Sequence, residues 1–197
     1  MNTADKPVVV VSGLGRCGSS LTMQMLHACG LRCAGEFPAF EPEESNVLNG
    51  LSADWLRRFE AVKILDPHRG GKFPLTNVSV IWIDRNPAQQ AISQVKFVQM
   101  VGGLHIEQGA AGKMCKSLQR ERPMALRKYY GMNQVHVSFE DAILATEGFC
   151  RQIAEFLSPW YVLDKSKMAS VVRPRSNGAK VQCDMEIEME LCAGGEQ

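Results

Sequence analysis

Four valines in a row, Val8 to Val11, pass directly into the turn Ser12-Gly13-Leu14-Gly15-Arg16-Cys17-Gly18-Ser19-Ser20. This junction constrains the fold more than any other segment. Consecutive β-branched side chains suit a strand covered on both faces, as in a parallel sheet. Behind the turn, Leu21, Met25 and Leu26 recur at helical spacing as far as Cys29, and Gly30 supplies a stop. A strand, a glycine-rich turn and a helix in that order leave free amides and the positive end of a helix dipole at the turn, which favours an anion. Any strand-to-helix turn can hold glycine, but three glycines, an arginine and two serines between Gly13 and Ser20 point to a phosphate site.

The rest of the chain repeats the alternation. Residues 31–50 contain prolines and acids and read as irregular surface chain, followed by a short helix capped by Ser52 that carries Trp55, Leu56 and Phe59. Strands are predicted at Ala61 to Leu65, Val78 to Ile83 and Gln134 to Phe139. Asn86-Pro87 opens a helix to about Met100, with Asn as cap and Pro in the first turn. Segment 106–130 is helical in composition but broken near Pro123. Residues 140–157 read as one helix burying Ile143, Leu144, Phe149, Ile153, Phe156 and Leu157. The expected fold is α/β: a three-layer, P-loop-type, doubly wound parallel sheet with helices on both faces.

A chain of 197 residues, 45% of them apolar, supports one well-buried core and not two ordinary domains. We expect a single domain over residues 1–178. In the tail, 179–197, Val181, Cys183, Met185, Ile187, Met189 and Leu191 alternate with polar and mostly acidic residues. That pattern suits an edge strand or, alternatively, a flexible partner-binding segment. The net charge of +1 gives no reason to expect nucleic acid as partner. The tail carries one Lys and five acids, so 21 basic against 16 acidic residues remain and the body holds +5, which suits a small anion. Seven scattered cysteines without a Cys-x-x-Cys pair read as reduced thiols and not as a metal site. With no stretch near the roughly 20 apolar residues of a membrane span and no signal-peptide core, the expected location is cytoplasmic.

The turn admits three readings. Gly13-x-Gly15-x-x-Gly18 fits the dinucleotide fingerprint, with Glu36 near the ribose-binding position, but Arg16 has no use there and no second strand precedes Glu36. Gly13-x4-Gly18-Ser19-Ser20 has the spacing of an ATPase or kinase loop, with Ser in place of the lysine that such enzymes use. The third reading joins the loop to a second motif, Arg85-Asn86-Pro87-x5-Ser93-x3-Phe97, in which a guanidinium at a strand end and a hydroxyl on the next helix can hold a phosphate monoester.

These two motifs together resemble the sulfotransferase family. Gly15-Arg16-Cys17-Gly18-Ser19-Ser20 is similar to its 5′-phosphosulfate loop, Pro-Arg-Ser-Gly-Thr-Thr, with Gly15 and Cys17 replacing Pro and Ser. The Arg85 to Ser93 step resembles its 3′-phosphate signature. Ser138-Phe139-Glu140-Asp141 and Ile153-x-x-Phe156-Leu157 are weaker echoes. Arg173 and Arg175 lie where the family has a basic loop that closes on the nucleotide, although its Gly-x-Trp-Lys is missing. The resemblance spans roughly residues 8–178. It implies 3′-phosphoadenosine 5′-phosphosulfate (PAPS) as cofactor, adenosine 3′,5′-bisphosphate (PAP) as product, no metal, and a small-molecule or glycan acceptor with a hydroxyl or amine. It also implies that Gly13, Gly15, Arg16, Cys17, Gly18, Ser19, Ser20, Arg85, Ser93, Arg173 and Arg175 hold the cofactor.

The catalytic candidates are Arg16 and Lys63, for charge on the bridging oxygen, and a base. The family's Lys-x-His on the second strand has Leu65 here in the His slot. His68, three residues on, is therefore the first candidate base, and Glu36 the second, since some bacterial members have a Glu soon after the first helix. Asp66 can instead cap a turn, and Lys63 can point to solvent. His27 and His136 read as structural. The basic run Lys113, Lys116, Arg120, Arg122, Arg127, Lys128 is either a solvated helix face or a steering surface for an anion. A P-loop nucleotide kinase and a nucleotide-binding relic without turnover are the rival readings.

Overall fold

The computed structural model describes residues 6–102 and 109–172. Strands β1 (Val8–Gly13), β2 (Ala61–Leu65), β3 (Val78–Asp84) and β4 (Asn133–Ser138) form an all-parallel sheet in the order β2-β1-β3-β4. Val10 pairs with Val62 on one side and Val80 on the other. The chain leaves β1 for β2 at one edge, then returns to place β3 on the far side of β1. That reversal opens a crevice beyond the carboxyl ends of β1 and β3, the usual ligand position in such sheets.

Helices cover both faces, as expected. Val9 and Val11 face a core built with α1 (Ser19–Ala28), α5 (Phe139–Leu144), α6 (Thr146–Leu157) and α7 (Lys165–Ser170). Val8 and Val10 face the opposite core, with α2 (Ala53–Leu56), α3 (Pro87–Gly102) and α4 (Ala110–Leu126). Period-two alternation with both sides buried is why the strand reads as uninterrupted valine. The Ser12 hydroxyl, in the middle of the sheet, donates to the Ile64 carbonyl at 2.7 Å and takes the Tyr129 hydroxyl at 3.0 Å, so this buried polar group is satisfied.

Caps fall where the side chains predict. Asn86 Oδ1 accepts from the Ala88 and Gln89 amides, and Ser52 Oγ accepts from Trp55. Three expectations are corrected. The helix over 110–126 runs through Pro123 without a break. Pro123 and Gln119 lie on the exposed side, where the carbonyl released by the missing amide meets water. Residues 140–157 form two helices rather than one. Ala145 leaves helical geometry at φ −135°, the Thr146 hydroxyl donates to the Ala142 carbonyl at 2.9 Å, and Leu144 is exposed. The segment 31–50 is irregular but not merely superficial. Ala34, Phe40 and Val47 are buried, Cys33 bridges to Ala61, and the Phe37–Pro38 peptide is cis. Arg173, Arg175 and the tail 179–197 lie outside the described residues.

Candidate functional site

The turn after β1 is held from beneath by its neighbours' side chains. Gln90 Nε2 donates to the carbonyls of Leu14 at 3.1 Å and Gly15 at 2.8 Å, and Arg85 Nη1 donates to the Arg16 carbonyl at 2.8 Å. On the other flank, Asp66 Oδ1 accepts the Gly15 amide at 3.0 Å. Fixing the carbonyls inward leaves the helix-end amides for an anion. Gly18 is the N-cap of α1 at φ 99°, and a Cβ there would overlap the Phe139 ring, so both backbone geometry and space require glycine.

Cys17 does not present its thiol to the cleft. The side chain is fully buried in the core beside α1, and burial pushes its thiol up to about 11 against the lowering pull of its Ser19 hydrogen bonds and Lys63. Gly13 ends β1 below the loop. Gly15, Arg16, Gly18, Ser19 and Ser20 line a cleft of about 350 Å³ together with Gln24, Pro38, Ala39, Glu41, Leu65, Asp66, Gln94 and Phe97.

Arg85 and Ser93, from the second motif, meet the loop at Arg16. Arg85 is buried, lies over the Phe139 ring at 4.4 Å and reaches the Arg16 backbone. The Arg16 Nε donates to Ser93 Oγ at 3.4 Å, and its guanidinium stacks on Phe97 at 4.9 Å. The two guanidiniums and one hydroxyl thus gather at the crevice between β1 and β3. Arg16 adopts the left-handed conformation, φ 66°, which is uncommon outside glycine.

Lys63 does not point to solvent. Its side chain is 1% exposed, and Nζ donates to Ser20 Oγ at 2.9 Å, to the Ala39 carbonyl and to Glu41 Oε1 at 2.6 Å. The irregular segment 31–50 therefore returns over β2 and brings Glu41, half-exposed, into the cleft. Glu36 is exposed and outside that lining, its carbonyl taking the Phe40 amide. His68 is also outside. It sits in the turn Pro67–Arg69 with Nε2 3.3 Å from Glu121 Oε2 on α4.

Parts of the basic run serve the fold. Arg122 grips Asp84 with Nε at 2.6 Å and Nη2 at 2.7 Å, and Lys128 donates to the carbonyls of Gly70 and Gly71. Glu140 joins the ends of β3 and β4, since Oε1 accepts the Asn86 amide and Oε2 the Ser138 hydroxyl. Sequence reading passed over Gln90, Gln94 and Glu41. The first two share a helical face with Ser93 or lie beside it, a usable signal. Glu41 lies in aperiodic chain and has none.

No protein-family model and no curated protein matches the chain. Its fold does match solved structures. The sulfotransferase domain from the curacin biosynthetic pathway aligns at TM-score 0.55 and 14% identity, over 89% of this chain and 81% of that one. Retinol dehydratase in complex with androsterone and the inactive cofactor PAP aligns at 0.51 and 14%, over 83% of this chain and 62% of that one. A mouse sulfotransferase complexed with PAP aligns at 0.52 and 12%, over 86% and 64%. The chain thus has the sulfotransferase fold and spans under two thirds of the length of the latter two.

Proposed function

We propose that this chain is a sulfotransferase that moves a sulfuryl group from PAPS to the hydroxyl or amine of a small-molecule or glycan acceptor. The observation that carries the reading is the meeting of Arg16, Arg85 and Ser93 beside a glycine loop at the β1/β3 crevice. The fold likeness supports it. The residues suit a nucleotide with phosphate at both ends. Amides of Gly18, Ser19 and Ser20 and the Gly18 cradle, too tight for a Cβ, serve the 5′ side. Arg85 and Ser93 serve the 3′-phosphate, as the resemblance implies. Arg173 and Arg175 are assigned to the same nucleotide from sequence alone.

PAPS, when bound, supplies the sulfuryl group and a PAP leaving group. The loop amides, Arg16 and the helix dipole oppose the charge that grows on the bridging oxygen, an electrostatic role for donors fixed in advance. The acceptor's proton needs a base in the cleft. We assign this role to Glu41, which Lys63 holds at 2.6 Å on one oxygen and which is half-exposed in the cleft lining, rather than to Asp66, whose Oδ1 already accepts the Gly15 amide. It replaces His68 and Glu36 in that role, because both lie outside the cleft lining. Lys63 positions Glu41 and Ser20 and supplies positive charge below the loop.

The decisive test is calorimetric titration with PAP, with ATP and NAD alongside, followed by transfer assays from radiolabelled PAPS to a panel of alcohols, phenols, sugars and amines. Selective PAP binding with transfer that Glu41→Gln abolishes, binding retained, is the expected result. Preference for ATP or NAD sinks the reading. PAP binding without transfer to any acceptor identifies a nucleotide-binding relic, a second reading favoured by the absence of a histidine from the cleft lining.

A further inference from the structure

We propose that Asp66, His68 and Glu121 bind one first-row divalent cation, Zn²⁺ or Mn²⁺, that ties the turn after β2 to α4. One ligand atom from each residue lies within 4.8 Å of the others. The His68 side chain is only 8% exposed; its Nε2 faces Glu121 Oε2 at 3.3 Å, while its Nδ1 is buried with no partner among the described residues. A ring enclosed this way has one nitrogen answered and one idle, a state that buried polar atoms rarely keep.

The two carboxylates are already oriented from behind, as outer-shell groups orient metal ligands. Ser117 Oγ donates to Glu121 Oε1 at 2.6 Å, and the Gly15 amide donates to Asp66 Oδ1 at 3.0 Å. Two acids around one imidazole also concentrate negative charge. The counterweight is Arg69, whose Nη2 lies 3.5 Å from Glu121 Oε2 on a half-exposed side chain that solvent can accommodate elsewhere. One imidazole nitrogen with two carboxylate oxygens is a mixed donor set, in which the imidazole suits Zn²⁺ and the two carboxylates suit Mn²⁺. Metal–ligand distances of about 2.0–2.2 Å require the three groups to close by roughly 1 Å, a movement shared between the Asp66 and His68 side chains and Glu121 on α4. The cation is structural. Of its three ligands only Asp66 borders the cleft, and sulfuryl transfer does not need it. Through Asp66 it fixes the Gly15 flank of the loop.

The test uses the full chain, stripped with chelator and dialysed, then titrated with ZnCl₂ and separately with MnCl₂ by calorimetry, with metal content read after desalting. One equivalent is expected to bind and raise the melting temperature. Glu121→Gln and His68→Gln each weaken binding by at least tenfold, and His136→Gln, away from the cluster, changes nothing. Should His68→Gln fail to fold, Glu121→Gln at its partly exposed site carries the test, and Mn²⁺ paramagnetic resonance reports the ligand set directly. No binding of either ion, or equal binding by wild type and Glu121→Gln, overturns the proposal.

Discussion

The guanidinium of Arg85 donates to the backbone carbonyl of Arg16 at 2.8 Å, so the residue that follows β3 also shapes the loop that follows β1. Arg85 therefore has two tasks, holding the loop and meeting a phosphate. Lysine keeps the charge but loses the planar fork and its stacking on Phe139. Arg85→Lys is expected to weaken PAP 10- to 100-fold, about 1.4–2.7 kcal/mol, measured by calorimetry. An affinity within twofold of wild type removes Arg85 from the nucleotide site.

Lys63 and Glu41 are an unequal pair, 1% and 55% exposed. Removing the carboxylate takes the counter-charge from an ammonium that water cannot reach, leaving it the Ser20 hydroxyl and Ala39 carbonyl, whereas removing the ammonium leaves a carboxylate that water can reach. Glu41→Ala should cost about 3 kcal/mol or more, and Lys63→Met roughly half that, with the methionine stem filling the space. Urea unfolding of the two variants checks the order, and a larger loss for Lys63→Met contradicts it.

Two glycines separate backbone strain from overlap. Gly18 and Gly30 both have positive φ, 99° and 86°, but a Cβ meets the Phe139 ring only at Gly18 and nothing within 4 Å at Gly30. Gly30→Ala should cost about 1–2 kcal/mol from backbone handedness. Gly18→Ala should cost visibly more and also weaken PAP, because displacing Phe139 disturbs Arg85. Equal losses in chemical denaturation argue against the Phe139 contact.

Asp84 sets a pH dependence. Burial raises its pKa, but hydrogen bonds from Arg122 and Trp82 outweigh that and hold it below the ordinary value. A carboxylate depressed in the folded state adds stability above the unfolded value of about 3.9 that fades as pH falls through the folded value. The stability gap between wild type and Asp84→Asn should therefore be full at pH 6 and close toward pH 2. Urea midpoints across that range test it, and a gap that stays constant refutes it.

Cys17, with its thiol raised to about 11, should resist alkylation. Its thiolate fraction at pH 8 is on the order of 100-fold below that of a free cysteine. Mass-resolved iodoacetamide labelling of the native chain is expected to leave Cys17 unmodified. Prompt labelling there contradicts its burial beneath the loop.

The parallel sheet and its loop were legible because valine runs, caps and the glycine turn are local signals. Asn86 and Ser52 cap as their chemistry dictates. What failed was what depends on distant partners. Pro123 stays inside a helix because water takes the released carbonyl, and Leu144 looked buried because its period matches a helix that breaks at Ala145. Glu41 was invisible since only the return of an aperiodic segment over β2 brings it to Lys63. His68 looked well placed from its strand end, yet its side chain turns to Glu121 on α4, a contact between positions far apart in the chain.

Gln90, Arg85 and Asp66 grip the loop through its own backbone, so its shape is paid for during folding. A nucleotide arriving there has little main chain to freeze, and the entropy of ordering falls outside the binding step. Recognition at this end is closer to docking on a finished surface than to wrapping. Free and loaded forms should share one loop conformation, and discrimination between nucleotides falls to the side chains around it.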